Sequence, residues 1–192
     1  ITKQKEIHLL SLIAQERLKF LERIDNIPGF DDHLAIDQED FWLPSADFVD
    51  IPLPETHKYD VNRLQLQLFQ QMESFYSKEE QEKDRLQWEF DRLEFLNNHY
   101  EDADVKDSLY LNALNKLDTT LQKDDSRSRI QLKKAFYYKQ QASKKEHPEY
   151  LNKAIDLAKS SYELADAADI KQSALGLIKS IKQPYLKFSV QK

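Results

Sequence analysis

A chain of 192 residues, 40% apolar and 32% charged, can build one sizeable hydrophobic core or a short array of helical hairpins. A net charge of −6 argues against a nucleic-acid binder, which needs a basic face to displace counterions from phosphate. The lack of cysteine excludes disulfides, thiolate metal sites and thiol nucleophiles, and no apolar run approaches the roughly 20 residues of a membrane span.

Glycine occurs only at Gly29 and Gly176, too rarely for a strand-and-turn fold, which needs glycine where turns take positive φ. The expected class is therefore all-α. The chain opens on Ile1 with no basic-then-apolar leader, which reads as a processed or excised piece of a longer protein.

Residues 2–25 carry Ile7, Leu10, Ala14, Leu18 and Leu21 at three- and four-residue spacing, one stripe of a helix that ends near Ile27-Pro28-Gly29. From 30 to 59 no period is sustained, and Pro44, Pro52 and Pro54 favour extended backbone. Residues 31–60 hold nine acidic side chains against Lys58 alone, a net of −8, which leaves +2 for the other 162 residues. This reads as a long irregular acidic connection (26–59) with Phe41, Trp42, Phe48 and Tyr59 as anchors.

Asp60 is placed to cap a helix whose stripe is Val61, Leu64, Leu68, Met72 and Phe75. The polar run SKEEQEKD leads into a helix faced by Leu86, Phe90, Leu93, Leu96 and Tyr100, and NNHYEDADVKD (97–107) reads as a loop. Tyr110, Ala113, Leu114, Leu117 and Leu121 mark the next helix, followed after QKDDSRS by one over 128–145 with Leu132, Ala135, Phe136 and Ala142. Pro148 suits the first turn of a helix bearing Leu151, Ala154, Ile155, Ala158, Tyr162 and Ala165. Asp169 and Gln172 have the spacing of a capping box opening a last helix through Ile170, Ala174, Leu177 and Ile181.

The expectation is about seven antiparallel helices in a bundle or a short array of hairpins, with residues 1–183 as one domain. Tyr138 with Ala142, Ala154 and Ala158 reproduces tetratricopeptide spacing, and generic antiparallel hairpins need alanine at their crossings too, so both geometries fit. The tail QPYLKFSV then switches to an alternating β-former pattern, read as the start of a strand leading into a following domain.

Candidate chemistry is sparse. The five histidines lack the i, i+4 pairing of helical zinc sites, Asp31-Asp32-His33 is too local for a closed metal site, and EDADVKD lacks the glycine and terminal glutamate of a calcium loop. Glu89 and Asp91 point about 200° apart on a helix and cannot converge on one substrate atom. No nucleophile elbow, phosphate loop or nucleotide fingerprint occurs, and the basic stretch SRSRIQLKK follows Asp124-Asp125 on a nearly neutral helical part, so it reads as a solvated face. The expected chain is not an enzyme, with no catalytic, cofactor-binding or metal residues. The interaction candidate is the acidic-aromatic connection, Phe41, Trp42, Asp47, Phe48 and Asp50, which either pins itself along its own helices, or occupies the groove between hairpins or contacts a neighbouring domain of a parent chain.

SADFVDIPLPETHKYD, DRLQWEFDRLEFLNNHY, KDSLYLNALNKLD and IKQPYLKFSVQK, in this order, resemble the helical N-terminal region of the large alpha-2-macroglobulin-like proteins of Bacteroides-type bacteria, over roughly residues 40–192. Residues 1–39 match only in being helical and then irregular. The resemblance implies a periplasmic or outer-membrane-associated parent that traps or inhibits proteases, and for this segment a non-catalytic scaffold role. The family's thioester needs a cysteine, so no catalytic residue carries over. The alternative expectation is a free-standing helical-repeat adaptor that binds a peptide or protein partner.

Overall fold

The computed structural model describes residues 2–25, 34–55, 60–120, 124–145 and 147–183. Among them the chain is all-α: α1 (Thr2–Asp25), a 3-10 turn (Glu39–Trp42), α2 (Ser45–Phe48), α3 (Val61–Lys78), α4 (Glu82–His99), α5 (Ala103–Thr120), α6 (Asp124–Lys145), α7 (Glu149–Leu164) and α8 (Ala168–Lys182). Seven of these helices are long, matching the number read from periodicity. The helices gather into two compact units, Ile1–Ala113 and Leu114–Lys192.

In the first unit α3 and α4 form a hairpin, and α1 packs along α3. Helix α1 buries Ile7, Ala14 and Leu21, a heptad-spaced stripe narrower than the five residues expected from the sequence, because Leu10 is exposed and Leu18 half-buried. Asp60 caps α3 as expected: its carboxylate accepts the Arg63 backbone N–H at 2.8 Å. Between α3 and α4 the turn closes without glycine. Glu80 takes φ 54°, and the Gln81 N–H reaches back to the Tyr76 carbonyl at 3.0 Å, satisfying an end carbonyl of α3. On α4 the predicted stripe of Leu86, Phe90, Leu93, Leu96 and Tyr100 is buried throughout.

The connection between α4 and α5 is shorter than the loop expected over 97–107. Helix α4 continues to His99, and α5 starts at Ala103 with the Asp102 carboxylate accepting the Val105 N–H at 3.2 Å. The acidic run is thus helix-capping chemistry, since a carboxylate at a helix start satisfies an orphan N–H and complements the dipole.

In the second unit α6 and α7 pair, and α8 packs on α7 and touches α6. Small residues line the contact: Ala135, Ala154, Ala158 and Ala165 are buried, and Ser161 Oγ donates to the Ser128 carbonyl at 2.8 Å. Lys139 Nζ reaches Ser180 Oγ at 2.9 Å from α6 to α8. Asp118 gathers Gln131 Nε2 at 2.8 Å, Lys134 Nζ at 3.1 Å and Arg127 Nε at 3.5 Å, so part of the basic stretch is spent on an internal carboxylate. Helix α7 begins at Glu149 with Pro148 one position earlier than expected, as its N-cap residue. The expected capping box of α8 is absent: Ala167 is the N-cap, and Asp169 sits inside the first turn, where its charge favours the helix dipole without capping it. Phe136 and Tyr162, read as core, are exposed. The tail strand, Tyr59, Leu121, the Ile27-Pro28-Gly29 stop and Asp31-Asp32-His33 lie outside the described residues.

Candidate docking site

The segment read as irregular does contain two short helical pieces, the 3-10 turn and α2, because Pro44 ends one and starts the other: the Asp47 and Phe48 N–H groups both bond its carbonyl at 2.9 Å. The rest has no backbone ladder, so its carbonyls need other donors. Side chains of the α3–α4 hairpin supply them. Asn62 Nδ2 takes the Leu34 carbonyl (2.9 Å), Tyr100 the Asp37 carbonyl (3.0 Å) and Arg63 Nε the Pro54 carbonyl (2.9 Å). Gln70 Nε2 takes those of Phe48 (3.0 Å) and Ile51 (2.7 Å), while the Arg92 guanidinium takes those of Phe41 and Leu43. Residues 34–55 are a strap stitched to its own hairpin by five side chains.

Arg92 is the centre of this stitching. It is fully buried, pairs with Glu73 through Nε at 2.8 Å and lies 3.9 Å from the centroid of the Phe48 ring. Glu89 approaches Arg92 at 3.8 Å and is held by Arg85 at 2.7 Å. Ser45 Oγ lies 2.5 Å from a Glu73 oxygen and 2.8 Å from a Glu89 oxygen. A hydroxyl has one proton to donate, so bonding both carboxyls requires one of them to be protonated. Burial, opposed by Arg92, holds the Glu73 carboxyl above the usual carboxylate range.

The five residues singled out from the sequence separate here. Phe41, Trp42 and Phe48 are buried, and Trp42 stands edge-on to Tyr100 (5.9 Å) and Tyr110 (6.3 Å). Asp47 and Asp50 are exposed. The Tyr110 hydroxyl donates to Glu94 at 2.7 Å, and burial, then that carboxylate, push its pKa far up. Sequence reasoning missed Glu73 and Arg92, and weighed Glu89 only as a catalytic pair with Asp91. The available signal was that Glu89 falls between Leu86 and Leu93, and Glu73 between Phe69 and Tyr76, inside apolar stripes where a charge needs a buried partner. Glu73 and Arg92 are sealed from any substrate, so this constellation braces the fold.

Beside the braced hairpin lies a groove of about 720 Å³, bounded by α1 and α4 with α3 beneath. Leu18 supplies half-exposed apolar surface with the buried Phe69 and Phe95 behind it, and Lys19, Glu22, Asp91 and Glu94 supply charged side chains. The His99 ring stacks 4.4 Å from that of Phe95, and its Nδ1 lies 2.8 Å from the Phe95 carbonyl, where only a protonated Nδ1 makes a hydrogen bond. Gln65 also lines the groove. It is 1% exposed, and its amide Nε2 has no hydrogen-bond partner. Among the described residues no cluster of histidine, aspartate and glutamate is arranged to hold a metal ion, and no helix is long and apolar enough to cross a membrane.

No family model, curated protein or solved structure matches the chain. The alpha-2-macroglobulin-like resemblance therefore stands on the quoted motifs alone.

Proposed function

We propose that the chain is a non-catalytic protein-interaction module that docks a polypeptide segment of a partner in the groove between α1 and α4. The observation that carries this reading is the groove itself: part apolar, part charged, and set against a hairpin whose side chains already take carbonyls of the strap. Concave sites of several hundred Å³ with a few placed polar groups are the usual form of a binding site. The α6–α7 hairpin with α8 packed on it supports the helical-array part of the expectation.

Panning a displayed library of random 12-residue peptides on the protein tests the reading. The expected result is a sequence-related set that Leu18→Glu no longer captures. A library with no enriched set would refute it. The macroglobulin-like setting, an envelope scaffold ahead of β-domains, is a separate part of the proposal, tested by the coding sequence after residue 192. Macroglobulin-type β-domains there support it, and a stop codon there ends it.

A further inference from the structure

We infer that α1 carries a self-association face, on which it pairs with the same helix of a second copy of this chain, parallel and in register. A helix lying on one neighbour needs one apolar stripe, and α1 has two. Ile7, Ala14 and Leu21 are buried, with α1 packed along α3. Leu9, Ile13 and Phe20 are 58%, 58% and 59% exposed, with Leu12, also exposed, on their flank. At about 100° per residue, Leu9, Ile13 and Phe20 fall within about 40° of one another, and Leu9 lies about 160° from Ile7. They form a strip on the side turned away from the buried stripe. The groove residues Leu18 and Glu22 stand about 180° and about 140° from Leu9, so docking and pairing use different sides of the helix.

Area and charge choose a second copy as the occupant. The four side chains leave on the order of 100 Å² each in the open. Two such strips with their flanking stems cover about 1,000 Å², the lower limit of a specific interface. The exposed charges flanking the strip are Lys5 and Glu6 near its start and Glu16 and Arg17 further on, a net of zero. That balance favours a partner with the same pattern over an anionic lipid surface, which calls for a basic face. Consecutive residues fall on opposite flanks of the strip. In a parallel pair Lys5 of one copy therefore meets Glu6 of the other, Glu16 meets Arg17, and Leu12 packs on Ile13. Glu16 also holds Lys19 at 2.8 Å, but that pair is exposed and leaves the carboxylate open to Arg17. An antiparallel pair that sets Leu9 on Phe20 instead brings Lys5 towards Arg23, two like charges.

The chain has no cysteine, so single introduced cysteines report on pairing without background. Sedimentation equilibrium of the full chain is expected to show a reversible dimer with a dissociation constant of roughly 10–100 µM, as suits an interface of this size. Ile13→Lys is expected to weaken it about tenfold or more while leaving the melting temperature of the monomer unchanged, because the position is exposed. Under mild oxidation Leu9→Cys and Phe20→Cys should each cross-link to its own copy. A cross-link that forms only when the two variants are mixed would mean an antiparallel pair and overturn the inference. A chain that stays monomeric tenfold above that range would overturn it too, and sedimentation of that monomer with phosphatidylglycerol vesicles would assign the face to lipid instead. Peptides enriched by panning should bind Ile13→Lys as they bind the parent, so the pairing and docking readings fail separately.

Discussion

The guanidinium of Arg92 lies over the ring of Phe48, 3.9 Å from its centroid, while the same group bonds the carbonyls of Phe41 and Leu43 and pairs with Glu73. One α4 side chain therefore holds both short helical pieces of the strap. Arg92→Met removes the partner of a buried carboxyl and is expected to cost about 3–5 kcal/mol near neutral pH. Urea unfolding measures the loss, and limited proteolysis should show new cleavage within 34–55. A loss below 1 kcal/mol would mean that the strap is held elsewhere.

The strap aromatics and the strap acids should behave oppositely. Trp42→Ala and Phe48→Ala each empty a buried site and are expected to cost about 3–5 kcal/mol. Asp47→Ala and Asp50→Ala lie at exposed positions and are expected to stay within about 0.5 kcal/mol of the parent. Thermal denaturation of the four variants side by side checks both halves.

Glu73 makes stability depend on pH in a defined direction. Its folded pKa lies above the 4.5 of an unperturbed glutamate, so the folded state keeps the proton when the unfolded state has lost it. That contribution is complete below about pH 4.5 and is lost as pH rises through the folded value. Gln at this position cannot ionise. The stability of the parent relative to Glu73→Gln should therefore decline as pH climbs from 4.5, and a difference that stays flat would show that Glu73 titrates normally.

Glu80 carries a side chain in the left-handed region, φ 54°, at the end of α3. Glycine has no Cβ to clash there, so Glu80→Gly is expected to stabilise by about 0.5–1 kcal/mol, which chemical denaturation can resolve.

Leu86, Phe90, Leu93 and Leu96 could be read directly from spacing, because α4 buries one continuous stripe and burial is what periodicity reports. Leu10, Phe136 and Tyr162 could not, since the same spacing continues onto faces that the fold leaves exposed. The strap was harder still. Its order comes from carbonyl capture by residues far along the chain, Arg92 reaching Phe41 across 51 positions, and no local pattern encodes such a bond. The aromatics announced that the segment was anchored, and Glu89 and Glu73 inside apolar stripes announced where. The groove was illegible, because it arises from how α1 and α4 flank α3, and Gln65 looks in sequence like any helix-surface glutamine.

Nuclear magnetic resonance of the labelled protein, titrated with one peptide from the enriched set, tests the docking account most directly. The account predicts that the backbone amides of Leu18, Asp91 and Phe95 shift together, with Ser45 to Asp50 unchanged. Shifts centred on Asp47 and Asp50, or on the exposed Leu9, Ile13 and Phe20 face of α1, with Leu18, Asp91 and Phe95 silent, would contradict it.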